Sequence, residues 1–368
     1  MTATDLTTAG TIGFPPTRFA GIDRRIAIAV LLAVATLIGL LIPIGASYTN
    51  PPPRHPGDGD LALYERIVGK LRAGGEYYQT VHTELRDGGY ATRPVFAWRT
   101  PAYFSLLARL PSTAAARATI GALAVVAGLA SLLFLRRSDT RLALLATPLL
   151  VISLGSAIAD LSVFYAEYPA GMLMLLSASA FGLGWRRTGM IAAIAALVVR
   201  ELAAPYVLIC LLLAWRERRW REVAMWLVTV AAYAAFYLWH VAMVNAQLGP
   251  ADFAWPEGWV AFGGARFLLS TAGHNGLFVA MPLWTAAFIL PLGVLGLLAW
   301  RGDERIALTA FGYIVAFAIV GKPLNGYWGE LYTPMLTLGV VWAIPAIADL
   351  ARAAFRPTRQ ARGAPAFR

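Results

Sequence analysis

The sequence predicts an all-α, polytopic membrane protein. It has about ten passes including a short hairpin, and amphipathic helices in its first outer loop. Three observations predict this. Of 368 residues, 58% are hydrophobic and only 14% charged, whereas soluble domains run near ~45–50% and ~25%. Mean hydropathy is +0.62. Apolar runs of spanning length recur at 26–47, 115–135, 142–158, 165–184, 223–244, 276–299, 306–321 and 331–350. The expected organisation is a disordered cytoplasmic N-terminus (1–25), one transmembrane unit (26–350, with its first outer loop at 48–114) and a basic cytoplasmic tail (351–368).

The first run, from about Ile26, reads as an uncleaved signal anchor, because no basic n-region with a short apolar core precedes it. Net charge is +11. That excess fits arginine-rich inner loops and contact with anionic membrane lipids. The arginines are scattered between spans rather than gathered on one face, so nucleic acid is not an expected partner. One cysteine, Cys210, excludes an intramolecular disulfide.

The apolar stretch at 190–214 carries Arg200 and Glu201 at its middle, in "VVRELAAPY". A charge at the bilayer centre costs roughly 2.5–3.5 kcal/mol on insertion scales. Both flanks, "WRR" at 185–187 and "WRERRWR" at 215–221, are strongly basic, and cytoplasmic loops collect arginine. The stretch therefore reads as a hairpin that enters and returns on the cytoplasmic side. Its legs of about 10–13 residues would reach about 15–20 Å, short of a ~30 Å hydrocarbon core. Irregular backbone and charge at that depth require a cavity lined by protein or water. With the hairpin, both termini are cytoplasmic. The inner loops then collect Arg136, Arg137, Arg141, Arg186, Arg187, Arg216, Arg218, Arg219, Arg221, Arg301 and Arg305. Beyond the first loop, the outer side keeps only Arg200, Arg266 and Lys322.

The outer connections are longer and chemically mixed. "LALYERIVGKLRAGG" sets Leu61, Tyr64, Val68 and Leu71 at helical spacing, which predicts an amphipathic helix in the interface plane. "VFAWRTPAYFSLLARLP" at 95–111 predicts a second. Between them lies "EYYQTVHTELRDGGYATRP", which includes Tyr78. "IADLSVFYAEY" brings Glu167, "TAGHNG" brings His274, and "GKPLNGYWGELYTP" brings Lys322, Asn325, Tyr327 and Glu330. Most of the chain's acidic residues fall on this side. Carboxylates beside tyrosine and tryptophan suit a polyhydroxylated substrate.

These features resemble the GT-C superfamily of membrane glycosyltransferases, in particular its bacterial branch that uses polyprenyl-phosphate sugars. The likeness is carried by "DGDLALYERIVGKLRAGGEYY", by "RTPAYFSLLARLP" leading into the second span, by the hairpin with "RELAAPY", and by "NGYWGELYTP". It covers about 26–350. It implies transfer of a sugar, with inversion, from a polyprenyl-phosphate donor to an envelope glycan or lipid on the periplasmic face. It also implies a place in the bacterial inner (plasma) membrane. It sets the base at Asp60 or Asp58, before the first amphipathic helix. An aspartate in that position also serves as a helix N-cap. The departing lipid phosphate calls for cations; Arg200 and Lys322 are the first candidates, with Arg99 and Arg93 behind them. Arg200 equally suits a structural ion pair with Glu167, and Lys322 a snorkelling role. Glu201, Glu167 and Glu330 would bind acceptor hydroxyls or hold loops in place. His274, Asn325, Tyr327 and Tyr78 complete the polar set. No cofactor is expected. The twin-acid motif of metal-dependent members is matched only by "DGD", and no histidine pair has zinc-ligand spacing. No phosphate-cradling or dinucleotide motif occurs. The competing readings are a secondary transporter, since broken hairpins with charges at mid-depth also mark transporters, and a non-catalytic scaffold.

Overall fold

The computed structural model describes residues 13–49, 59–155, 162–256, 261–302 and 304–355. Among them there is no strand; one isolated bridge joins Arg93 to Ala254. Four helices are long and apolar enough to cross a membrane: α1 (Arg24–Ala46), α5 (Thr113–Ser138), α10 (Trp220–Gln247) and α14 (Thr333–Ala354). Local chemistry starts them. The Asp23 side chain accepts the Arg25 amide at 2.8 Å before α1, and the Ser112 hydroxyl accepts the Ala115 amide at 3.1 Å before α5.

Shorter helices fill the rest of the bundle: α6 (Thr140–Gly155), α7 (Glu167–Gly182), α8 (Arg186–Val199), α9 (Ala204–Arg216), α12 (Ala286–Ala299) and α13 (Glu304–Ile319). The single span expected at 276–299 is broken. Two short 3-10 turns, Gly276–Ala280 and Leu283–Thr285, flank Pro282 and precede α12. Proline at that point has no amide with which to continue a helix. α11 (Gly264–Gly273) precedes these turns. α12 and α14 lie close together, and a methyl group at Gly296 would overlap the Gly339 carbonyl.

The 190–214 stretch is a helical hairpin. α8 ends at Arg200, whose backbone is extended (φ −149°, ψ 119°). One 3-10 turn, Glu201–Ala203, follows, and α9 then starts with Pro205 in its first turn. At 1.5 Å per residue the legs are about 21 and 20 Å long. Both open at the same end of the bundle. Arg186 at the head of α8 pairs with Glu222 at the head of α10, only a few residues beyond α9. Arg216 reaches Glu304 of α13 at 2.6 Å, and Arg137 reaches the Gly182 carbonyl. The arginine-rich segments therefore gather at one end.

The expectation of disorder through residue 25 is corrected for residues 13–25. Thr17 is buried, and its amide and hydroxyl both donate to Asp349 Oδ2, at 2.8 and 2.7 Å. The Arg18 amide donates to the Ala299 carbonyl, and Phe19 and Ile22 pack on α1, α12 and α14. Buried apolar contact and a satisfied aspartate offset the ordering cost there. At the other terminus, α14 runs through Ala354, so the start of the expected tail is helical. Residues 1–12 and 356–368 lie outside the described residues.

At the opposite end, the first loop folds into three helices: α2 (Asp60–Arg72), α3 (Tyr77–Asp87) and α4 (Pro101–Arg109). α2 buries Leu63, Tyr64, Ile67 and Val68, with Leu61 and Leu71 only partly covered. Its apolar face is thus rotated from the expected one, because it packs on protein: Tyr64 lies against Phe104 and Tyr165. Glu84 of α3 ties to α2 through Arg66 at 2.8 Å and Lys70 at 2.5 Å. The second expected helix begins later than anticipated, at Pro101, after a short turn at Val95–Ala97.

Candidate active site

The hairpin tip lies under α2–α4, and charged side chains from four segments meet there. Glu167, at the head of α7, is fully buried. Its Oε1 accepts Arg200 Nε at 2.8 Å and lies 3.9 Å from a terminal nitrogen of Arg99. Another nitrogen of Arg200 bonds Glu201, so the buried guanidinium spans two carboxylates. Arg99, just before α4, donates to the Tyr327 hydroxyl at 3.1 Å, and its guanidinium lies over the Tyr64 ring, 5.4 Å from the centroid. The Tyr77 hydroxyl holds the Arg99 carbonyl at 2.6 Å. The Tyr327 hydroxyl in turn donates to Asp60 Oδ2 at 3.4 Å. Asp60, Tyr327, Arg99, Glu167, Arg200 and Glu201 thus form one connected network.

Asp60 is the first residue of α2. Gly59 occupies the cap position, with no side-chain cap bond. The capping role open to Asp60 is therefore not the one it takes, and its carboxylate turns to Tyr327. Asp58 lies outside the described residues. Burial pushes the Tyr327 and Tyr64 phenols well above their ordinary value, so both remain donors. Burial alone would lower Arg99, but the surrounding phenols and carboxylates more than reverse this and keep it charged. Arg200 has the partnership with Glu167 that was open to it. The Arg200 side chain is only 2% exposed, whereas the Arg99 side chain is 11% exposed.

Beside the tip runs an apolar cavity of about 370 Å³ between α8, α10 and α4. It is lined by Ile194, Leu197, Val198, Val228, Ala232, Phe236 and their neighbours. Tyr233 borders it, and its hydroxyl is buried without a hydrogen-bond partner among the described residues.

Arg93, Tyr78, His274 and Glu330 make their contacts elsewhere. Arg93 is exposed and reaches the Gly249 carbonyl at 3.5 Å. Tyr78 bonds His240 Nδ1 at 3.1 Å. Lys322, half-buried, occupies the position just before the 3-10 helix Pro323–Leu331 that carries Tyr327, and Asn325 marks a kink within it. His274 bonds the Ser270 carbonyl at 3.0 Å, and burial lowers its pKa. Glu330 is buried away from both arginines; it accepts the Gly276 amide at 2.9 Å.

Sequence reasoning missed the tyrosine wall. Tyr165 stacks on Tyr327 at 4.4 Å and on Tyr168 at 6.2 Å. The run "FYAEY" was the available signal. It also missed the clasp between loops in which His82 Nε2 meets Asp252 Oδ1 at 2.8 Å under a stacked Trp98.

Among the described residues, fold and site together define an all-helical arrangement with four membrane-length helices and a buried charge network at one end. No family model matches it, and neither a curated protein nor a solved structure matches it.

Proposed function

We propose that this protein is a ten-pass inner-membrane glycosyltransferase that moves a sugar from a polyprenyl phosphate to an envelope glycan or lipid on the periplasmic face, with inversion. The arginine-rich end is then cytoplasmic, along with both termini. The observation that carries the reading is the juxtaposition of an acid–phenol–arginine network with an apolar cavity beside the hairpin tip. Asp60 receives the proton of the acceptor hydroxyl as that oxygen attacks the anomeric carbon. The bond to the lipid phosphate breaks on the opposite face, and its electron pair leaves with the phosphate. Arg99 meets that developing charge, while Arg200 holds Glu167 and Glu201 in place beneath it. The cavity between α8 and α10 accommodates part of the prenyl chain. Confinement of the arginine–carboxylate network to one end supports an enzyme over a transporter, whose polar residues would line a path through both leaflets.

The test is to incubate purified protein with a panel of polyprenyl-phosphate sugars and candidate acceptors and to measure free lipid phosphate. Release with at least one donor, abolished in Asp60→Asn while expression is retained, is the expected result. Full activity in Asp60→Asn removes Asp60 from the mechanism, and the absence of release with every donor refutes the reading.

A further inference from the structure

Glu330 is a buried acid of unusual setting. Its residue is 1% exposed, and no cation neutralises it among the described residues. It sits where three segments join. Oε1 accepts the Gly276 amide from the turn between α11 and α12. The carboxyl also shares a hydrogen bond with the Tyr168 hydroxyl of α7. Its own carbonyl rests on Gly171 of α7, where a methyl group would overlap it. The same 3-10 helix carries Tyr327 three residues earlier, and Tyr168 stacks on Tyr165, which stacks on Tyr327. The joint therefore closes on itself: one carboxyl pins the helix at one point, and a tyrosine stack pins it at another.

We propose that Glu330 is a positioning residue and a proton-dependent latch: uncharged, it locks the 323–331 helix to α7 and to the Gly276 turn and so holds Tyr327 on Asp60 and Arg99; charged, it releases that helix. An uncharged carboxyl fits this joint because it can accept from Gly276 and donate to Tyr168. A carboxylate there is a buried charge with two neutral donors and no counter-ion, which is costly. The groups facing it are the Tyr168 phenol, the Gly276 amide and, two residues before that amide, His274, which burial keeps neutral. Burial pushes Glu330 up to about 8, so the latch works across the physiological range. The raised value also fixes the sign of the linkage. The stabilisation is complete below the ordinary glutamate value of 4.5 and is lost as pH rises through about 8. The latch stands without the transferase reading; only its effect on turnover rests on that reading.

The test uses full-length protein in detergent, as wild type, Glu330→Gln, which imitates the uncharged acid, and Tyr168→Phe. Amide exchange of peptides spanning 323–331, corrected for the intrinsic rate, is followed from pH 6 to 9.5. In wild type, protection should fall through a midpoint near 8. In Glu330→Gln it should stay flat, and in Tyr168→Phe, which lacks a donor to the carboxylate, the midpoint should move upward. Sugar transfer should fall about tenfold from pH 7 to 9 in wild type, as the uncharged fraction falls, and less than about twofold in Glu330→Gln. A flat wild-type profile, a Glu330→Gln profile that still falls near pH 8, or an unmoved midpoint in Tyr168→Phe overturns the latch. Exchange that behaves as described while no donor is turned over upholds the latch and refutes only the transferase reading.

Discussion

Replacing Arg200 by methionine isolates the energetics of the hairpin tip. The substitution keeps length and apolar bulk while removing the charge. Glu167, fully buried, would keep only Arg99 at 3.9 Å, and Glu201 would lose its bonded cation. Breaking a buried pair by removing one partner costs about 3–5 kcal/mol, because a desolvated charge is left behind. Arg99 still offsets part of that, which puts the loss near the lower end, about 3 kcal/mol. For a chain of this size such a loss corresponds to a fall of about 4 °C in Tm. Thermal unfolding in detergent, read by tryptophan fluorescence, measures it. The triple variant Arg200→Met, Glu167→Met, Glu201→Gln removes Arg200 together with both carboxylates it bridges and should recover part of the loss, since their desolvation and attraction disappear together, while Arg99 keeps Tyr327 and, beyond it, Asp60. A single variant within 1 °C of wild type, or a triple variant no better than the single, would refute the claim that Arg200 is sealed between two carboxylates.

Four further outcomes are expected. Gly296→Ala forces a methyl group into the Gly339 carbonyl and should cost about 1–3 kcal/mol, whereas Gly39→Ala, with open space around it, should leave Tm unchanged. Ala232→Trp fills the cavity between α8 and α10; it should raise KM for a long-chain lipid donor several-fold while sparing a short-chain analogue, measured by initial rates. Tyr327→Phe removes the phenol between Arg99 and Asp60 and should lower kcat by about tenfold, with thermal stability close to wild type. Asp252 is held down to about 2: burial would raise it, but the Gly249 amide and His82 more than reverse this. The stability it contributes is present above its ordinary value of 3.8 and lost as pH falls through about 2. Asp252→Asn should flatten that part of an acid-unfolding curve.

Much of this arrangement was legible in the chain itself. The two basic flanks of 190–214 forced a return to the same end, and Pro205 beyond "RELA" fixed where the second leg could begin. Asp60, Arg99, Tyr327 and Glu167 could each be named as polar groups on outer connections. That they touch could not be read, because the contacts join positions as much as 267 residues apart. The helix α3 was hidden because "EYYQTVHTELRD" mixes aromatic and charged residues. Its signal was local: Glu76 accepts the Gln79 amide as a cap, and Tyr77, Tyr78, Val81 and Leu85 share a buried face. Hydropathy alone gave a single run at 276–299, since Gly276 and Pro282 barely lower the average while they break the backbone. The rotated face of α2 has the same origin. An amphipathic pattern shows that a face will be buried, but its partners, here Phe104 and Tyr165, decide which flank residues go with it.

The proposed site exists only if α8 and α9 return to the end from which they started, so that Arg200 and Glu201 join the network of Glu167, Arg99, Tyr327 and Asp60 beneath the first loop. Single cysteines at 187, 218 and 83, introduced into a Cys210→Ser background, test this in intact membranes with an impermeant thiol reagent. Positions 187 and 218 should react only from the cytoplasmic side and position 83 only from the other. Labelling of 187 and 218 from opposite faces would contradict it.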